Sequence, residues 1–293
     1  MVRTRNVFVE INRRYPWVKV VILGVIVFMV IMSVGIGSAK GGQMITILAN
    51  TGVDMGHNES FKIDLGGVET EVSGVREFEE QVNNNVEQRD LEGKQLVALT
   101  FDDGPNTEVT GKILDTLKEK NVKATFFMLG IMVEKMPDMA KRVAKEGHEV
   151  ETHSLRHANL SQMNREGVIA DLEQSRQIMK DMIGVDVKIL RPPYGAVNDT
   201  VKEAVNMPMI TWGVDPYDWR DKDAGLIKDR VVGASYDGAI VLMHDIYSTT
   251  AEAIPWIIDE LRGKGFEFVT VEELAKKKGI VLNNGDLYRD FAS

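Results

Sequence analysis

From Lys94 onward the chain alternates between two rhythms. Short runs read as buried strands: "LVALTF" (Leu96–Phe101), "ATFFMLG" (Ala124–Gly130), "HEVETH" (His148–His153) and "VKILR" (Val187–Arg191). "MITWGV" (Met209–Val214), "AIVLMH" (Ala239–His244) and "FEFVTV" (Phe266–Val271) continue the series. Most of the segments between them place apolar residues three and four apart, the spacing of a helix with one buried face. "EVTGKILDTLKEKN" does so, as do "NREGVIADLEQSRQIMKDMIG" and "TTAEAIPWIIDELRGKG", and the last two stop at glycine. Strands alternating with helices predict an α/β fold with a parallel sheet. Seven such units predict a barrel, one short of the usual eight, with a doubly wound open sheet as the alternative.

The first forty residues have a different pattern. Val20 to Ala39 carries no charge, and about 20 apolar residues suffice to cross a bilayer. Arg3, Arg5, Arg13, Arg14 and Lys19 precede the run, whereas only Lys40 follows closely. That asymmetry places the N-terminus in the cytoplasm and everything past Lys40 outside. Gly37-Ser38-Ala39 resembles a signal-peptide cleavage site, but signal peptides carry an apolar region of only about 7–15 residues. The longer run favours an uncleaved anchor, flanked by Tyr15 and Trp17 at the interface. The expected organisation is a cytoplasmic tail at 1–19, a single transmembrane helix at 20–39 and an extracellular stalk or small subdomain at 40–93. A barrel domain follows at 94–282, with a C-terminal tail at 283–293.

A length of 293 residues accommodates a large barrel plus these additions. The net charge of −9 argues against nucleic acid as the partner and leaves a neutral glycan open. The chain has no cysteine, which excludes disulfides and thiolate ligands. A metal site must then be built from His, Asp or Glu.

In a parallel barrel, chemistry sits at the C-terminal ends of the strands, and polar residues recur there. The first strand ends at Asp102-Asp103, the third at His153, the fourth at Arg191, the fifth at Asp215 and the sixth at His244-Asp245. "DDGPN" alone reads equally well as a solvated turn; the clustering of polar strand ends favours a site. "HSLRH" holds His153 and His157 four apart, which on a helix puts both imidazoles on one face. The pair is weak evidence by itself, and Ser154 stands where a zinc protease needs Glu. Adding Asp103 makes a two-His, one-carboxylate set, suited to zinc or another divalent ion with positions left for water and substrate. Asp102 is then free to take a proton from water on the metal, whose pKa falls from ~15.7 toward ~7. Arg191, in "RPPYG", reads either as a surface salt bridge or as the group that orients Asp102. "DPYDW" adds a carboxylate and an aromatic plane, and His244 reads as a core histidine or a general acid.

"TFDDG", "HSLRH", "RPPYG", "DPYDW" and "LMH", in this order, resemble the five motifs of polysaccharide deacetylases (carbohydrate esterase family 4, the NodB homology domain). The resemblance covers about Lys94 to Ile280, and five ordered motifs are highly specific. It implies a distorted (β/α)7 barrel and metal-dependent N- or O-deacetylation of a glycan. Zinc is the expected ion, with cobalt or manganese as alternatives. By motif, Asp102 resembles the catalytic base, Asp103, His153 and His157 the metal ligands, and Arg191 the residue that positions the base. The Tyr194 backbone N–H resembles the oxyanion donor, and Asp218 the carboxylate that tunes the acid, His244. Trp219 and Leu242 resemble the walls of an acetyl pocket. Ala158 departs from the proline many members carry there, without touching these roles. The pattern is most similar to membrane-anchored peptidoglycan N-acetylglucosamine deacetylases, acting on a cell-wall glycan. Chitin oligomers or acetylxylan are alternative substrates, and a catalytically silent glycan-binding module is an alternative of another class.

Overall fold

β3 (Gln95–Asp102) is the central strand of the larger unit. Successive strand residues face opposite ways, and here both faces are buried, as in a parallel sheet covered by helices. Val97, Leu99 and Phe101 pack outward against the helices, while Leu96 and Ala98 join an inner cluster. β4 (Thr125–Met128) and β7 (Ala239–His244) follow suit: Phe126, Met128, Val241 and Met243 lie outside, Phe127 and Ile240 inside. The same alternation carries inward to Thr100 and Asp102, and to Leu242 and His244. Inward positions are therefore apolar at the start of the strands and polar at their ends.

The computed structural model describes residues 60–64, 69–73, 91 and 93–292, in two units divided between Asp90 and Leu91. In the first unit, β1 (Ser60–Asp64) and β2 (Glu69–Ser73) pair antiparallel, Ser60 opposite Ser73. The expected transmembrane run 20–39 and its basic flank lie outside the described residues. Among the described residues, no helix is long and apolar enough to cross a membrane.

The second unit is a parallel sheet in the order β5 (Glu149–Thr152), β4, β3, β7. It curls into a distorted barrel through isolated bridges: Thr152 to Leu190, Leu190 to Met209, and Val214 to Val241. Two short strands wedge in. β8 (Phe266–Phe268) takes the start of β3. β9 (Leu287–Tyr288) pairs with β6 (Met209–Ile210). Residues 271–277 form a helix whose Val271, Leu274 and Ala275, with Phe291, pack on the inner cluster.

The expected strands are shortened in ways that have local causes. "VKILR" contributes only Leu190 as a bridge. The N–H groups of Lys188 and Ile189 are taken instead by the buried Glu151 Oε2, at 2.7 and 2.8 Å, and Pro192 and Pro193 end the run. "MITWGV" pairs at Met209–Ile210 and again at Val214; between them Gly213 and Val214 both donate to the Ile240 carbonyl, a bulge. "FEFVTV" stops at Phe268 because Thr270 and Glu273 form a reciprocal capping box that starts a helix at Val271.

The long helices follow their sequence signals. α1 (Val109–Glu119) buries Val109, Ile113, Leu114 and Leu117. α2 (Arg165–Ile183) is capped by the Asn164 side chain and closed by Gly184 at φ +72°. α3 (Ser248–Gly263) buries Ile254, Ile257, Ile258 and Leu261.

Candidate active site

Asp102 is the last residue of β3 and lies in register with His244, the last of β7. Two neighbouring strands thus present a carboxylate and an imidazole at one rim. On a continuing strand Asp103 would point away from Asp102. It instead adopts φ +75°, a left-handed conformation that Asp tolerates better than most residues, and this breaks the alternation. His153 Nε2 consequently lies 3.7 Å from both Asp102 Oδ2 and Asp103 Oδ1.

"HSLRH" follows a strand end, as its place in the sequence suggests, and its two histidines do not share a helix face. The segment is a loop after β5, with Ser154 at φ +74° and His157 at φ +60°. The two left-handed residues turn the chain so that His157 Nε2 comes 3.5 Å from Asp103 Oδ1. The His157 ring also meets the His153 ring edge-on, with centroids 5.0 Å apart.

Asp103, His153 and His157 each offer a ligand atom within 4.8 Å of the others. Three observations fit this set to a divalent metal. Among the described residues Asp103 Oδ1 is buried without a hydrogen-bond partner, a costly state unless a cation fills it. His153 Nδ1 lies 2.7 Å from the Arg191 carbonyl, which can only accept, so Nδ1 carries the proton and Nε2 keeps its lone pair facing Asp103. Burial lowers the His153 pKa against the pull of Asp102 and Asp103, favouring the neutral ring a metal requires.

Arg191 is fully buried, which excludes the surface salt bridge. Nη1 donates to Asp102 Oδ1 at 2.8 Å and to Thr100 Oγ1 at 2.6 Å, and Nη2 to the Thr211 carbonyl at 2.9 Å. Its guanidinium also stacks on Phe127, 4.0 Å from the ring centroid. Asp102 is held on one oxygen, and its Oδ2 is left facing His153.

His244 is fixed by Asp218. Nδ1 donates to Asp218 Oδ1 at 2.8 Å, and the His244 backbone N–H and Thr250 Oγ1 both donate to Oδ2, each at 2.8 Å. Burial disfavours the imidazolium, but the hydrogen bond and charge of Asp218, with Asp102 and Asp103, outweigh it and raise the pKa to about 9. Nε2 is thereby left to carry a proton toward the site.

Tyr194 adopts φ +62° in a short turn after Pro193; its ring is exposed and meets His157 edge-on at 4.6 Å. Trp219 is half exposed beside Asp218, and Leu242 is buried two residues before His244 on the same face. Asp215 accepts from the Tyr217 N–H at 2.8 Å and shapes the turn that leads into Asp218. Thr100, Phe127 and Thr250 also support the site and belong to none of the five motifs' named positions. Thr100 was within reach, being two positions before Asp102 on the same face. Thr250 and Phe127 carry no local mark, since only the closed barrel brings them to Asp218 and Arg191.

Residues 90–210 match the sequence profile of the polysaccharide deacetylase family. A peptidoglycan-N-acetylglucosamine deacetylase of Bacillus cereus is 36% identical over 193 residues, spanning 63% of this chain and 90% of that one. The chain belongs to the polysaccharide deacetylase family. This deacetylase-family chain is also 44% identical over 182 residues to the peptidoglycan-N-acetylglucosamine deacetylase PgdA of Listeria monocytogenes, across 62% of its own length and 39% of the relative's. It therefore spans well under half of that longer relative. Among solved structures, a family 4 acetyl xylan esterase from Clostridium thermocellum in complex with a cobalt ion superposes with a TM-score of 0.65. The two are 31% identical, over 67% of this chain and 98% of that one.

Proposed function

We propose that this deacetylase-family chain hydrolyses the acetamide of N-acetylglucosamine in cell-wall peptidoglycan, giving glucosamine and acetate, with zinc bound by Asp103, His153 and His157. One observation carries the reading: the orphaned Asp103 Oδ1 and two imidazoles converge at a rim where an oriented carboxylate, Asp102, faces an anchored imidazole, His244. A divalent ion held there supplies Lewis acidity toward the acetyl carbonyl and toward water. Asp102, clamped by Arg191, takes the proton of the attacking water. The Tyr194 N–H serves the oxyanion of the tetrahedral intermediate. His244, protonated at Nε2, passes its proton to the leaving nitrogen. Trp219 and Leu242 wall the acetyl methyl. Elemental analysis of the purified protein identifies the ion.

Peptidoglycan is favoured by the relatives from Listeria and B. cereus, both named for that substrate. Incubating the protein with peptidoglycan fragments, N-acetylglucosamine oligomers and acetylated xylan, then weighing products by mass spectrometry, tests the assignment. Loss of one acetyl mass per reaction from peptidoglycan ahead of the others is expected; activity confined to xylan esters, or none on any glycan, overturns it. Residues 20–39 are proposed to hold the catalytic unit outside the cell. Protease added to intact cells should then release it, and a protected domain would contradict that placement.

A further inference from the structure

Asp245 follows His244 at the end of β7 and has no part in the chemistry above. It is fully buried. Oδ2 accepts from Thr110 Oγ1, on α1, at 2.5 Å, while Oδ1 has no hydrogen-bond partner among the described residues. Both oxygens lie over Gly104: a Cβ at that position would sit 2.2 Å from Oδ2 and 2.4 Å from Oδ1, so any side chain there would force the buried carboxyl to move.

The same turn is tied at its other points. The Asp245 N–H donates to the Asp102 carbonyl at 3.3 Å, and the Leu129 N–H to the Gly104 carbonyl at 3.1 Å. The Asn106 N–H donates to Thr110 Oγ1 at 2.7 Å, and Asn106 Oδ1 accepts from the N–H groups of Glu108 and Val109 where α1 begins. Thr110 thus links the far end of the turn to Asp245, and Asp245 supports its middle. The residue between β3 and this support is Asp103, whose φ of +75° has no glycine to make it inexpensive. A strained conformation persists only where its surroundings impose it.

We propose that Asp245 is a positioning residue for Asp103: braced by Thr110, its carboxyl holds Gly104 and thereby the left-handed turn that aims the Asp103 carboxylate at His153 and His157. The inference rests on the metal reading given under Proposed function. Shape rather than charge is what the brace uses. Asparagine has nearly the same shape as the carboxyl and is therefore the conservative variant.

The test is Co2+ binding by the whole chain, followed by titration calorimetry and by the visible absorption of the bound ion, which reports ligand geometry. Loss of a group that orients a metal ligand typically weakens affinity about 10–100-fold. That loss, with a changed spectrum, is expected for Asp245→Ala; Asp245→Asn should stay near wild type, and Thr110→Val should fall between them. A folded Asp245→Ala with wild-type affinity and spectrum overturns the inference, as does an equal loss in the Asn and Ala variants. Should Asp245→Ala fail to fold, Thr110→Val decides: unchanged affinity and spectrum refute the brace. The His153→Ala/His157→Ala double variant sets the zero. Wild-type chain that takes up no Co2+ removes the metal reading itself, a result distinct from binding that ignores Asp245.

Discussion

Asp102→Asn is expected to lower turnover by about 10²–10⁴-fold, the usual contribution of a general base, while the metal stays bound. Asparagine is nearly isosteric but cannot accept the proton. The ligand set, Asp103, His153 and His157, is untouched by the change. The structure adds a second expected effect. Arg191 is fully buried, and Asp102 is the carboxylate it pairs with at 2.8 Å. Removing one member of a buried ion pair typically costs about 3–5 kcal/mol, because the other charge is left uncompensated. The bonds from Arg191 to Thr100 and to the Thr211 carbonyl remain, so the lower end of that range is expected. With a typical total stability of about 5–15 kcal/mol, the variant should still be largely folded. Kinetics normalised to metal content, together with a urea midpoint, separate the two effects. An Asn variant with bound metal and wild-type turnover would rule out Asp102 as the base. If the paired aspartates were only a turn, stability would change and rate would not.

Replacing His244 by alanine should lower turnover on acetamide substrates by a similar factor of about 10²–10⁴, and the pH profile identifies the reason. Burial opposes the imidazolium, yet Asp218, with Asp102 and Asp103, raises its pKa to about 9. The acid form is therefore present below that value and is lost as pH rises through it, giving an alkaline fall in rate near pH 9. The same raised pKa means that the pair stabilises the fold below the ordinary histidine range and ceases to do so as pH passes 9. Asp218→Asn removes the first and strongest of the favourable partners, a carboxylate bonded to Nδ1 at 2.8 Å. Burial then dominates, and the alkaline limb should move to lower pH. The measurement is kcat/KM against pH for wild type and Asp218→Asn. A limb that does not move would mean that some other group titrates there.

Much of this was legible in the chain itself. Runs buried on both faces must be continuously apolar, so β3, β4 and β7 announce themselves, and helices with one buried face show their three-and-four spacing. Asn164 and Gly184 mark the two ends of α2 because the free N–H and C=O groups of a helix demand such residues. The polar strand ends at Asp102, His153, Arg191 and His244 were visible for the same reason: each interrupts an apolar pattern where a core residue would otherwise stand. Two conformational facts were not visible. Nothing local requires Asp103, Ser154 or His157 to be left-handed, and none is glycine, so the turns that bring His157 of "HSLRH" to Asp103 leave no mark in the sequence. Likewise the strand expected at "VKILR" is cut short by a side chain from another strand, Glu151. Partnerships such as Arg191 with Asp102, Thr250 with Asp218, and Asp245 with Gly104 arise only when the barrel closes. Periodicity records which face of an element is buried, because that depends on neighbours along the chain. Which two polar atoms come within 3 Å depends on how separate elements pack, and only the tertiary structure decides that.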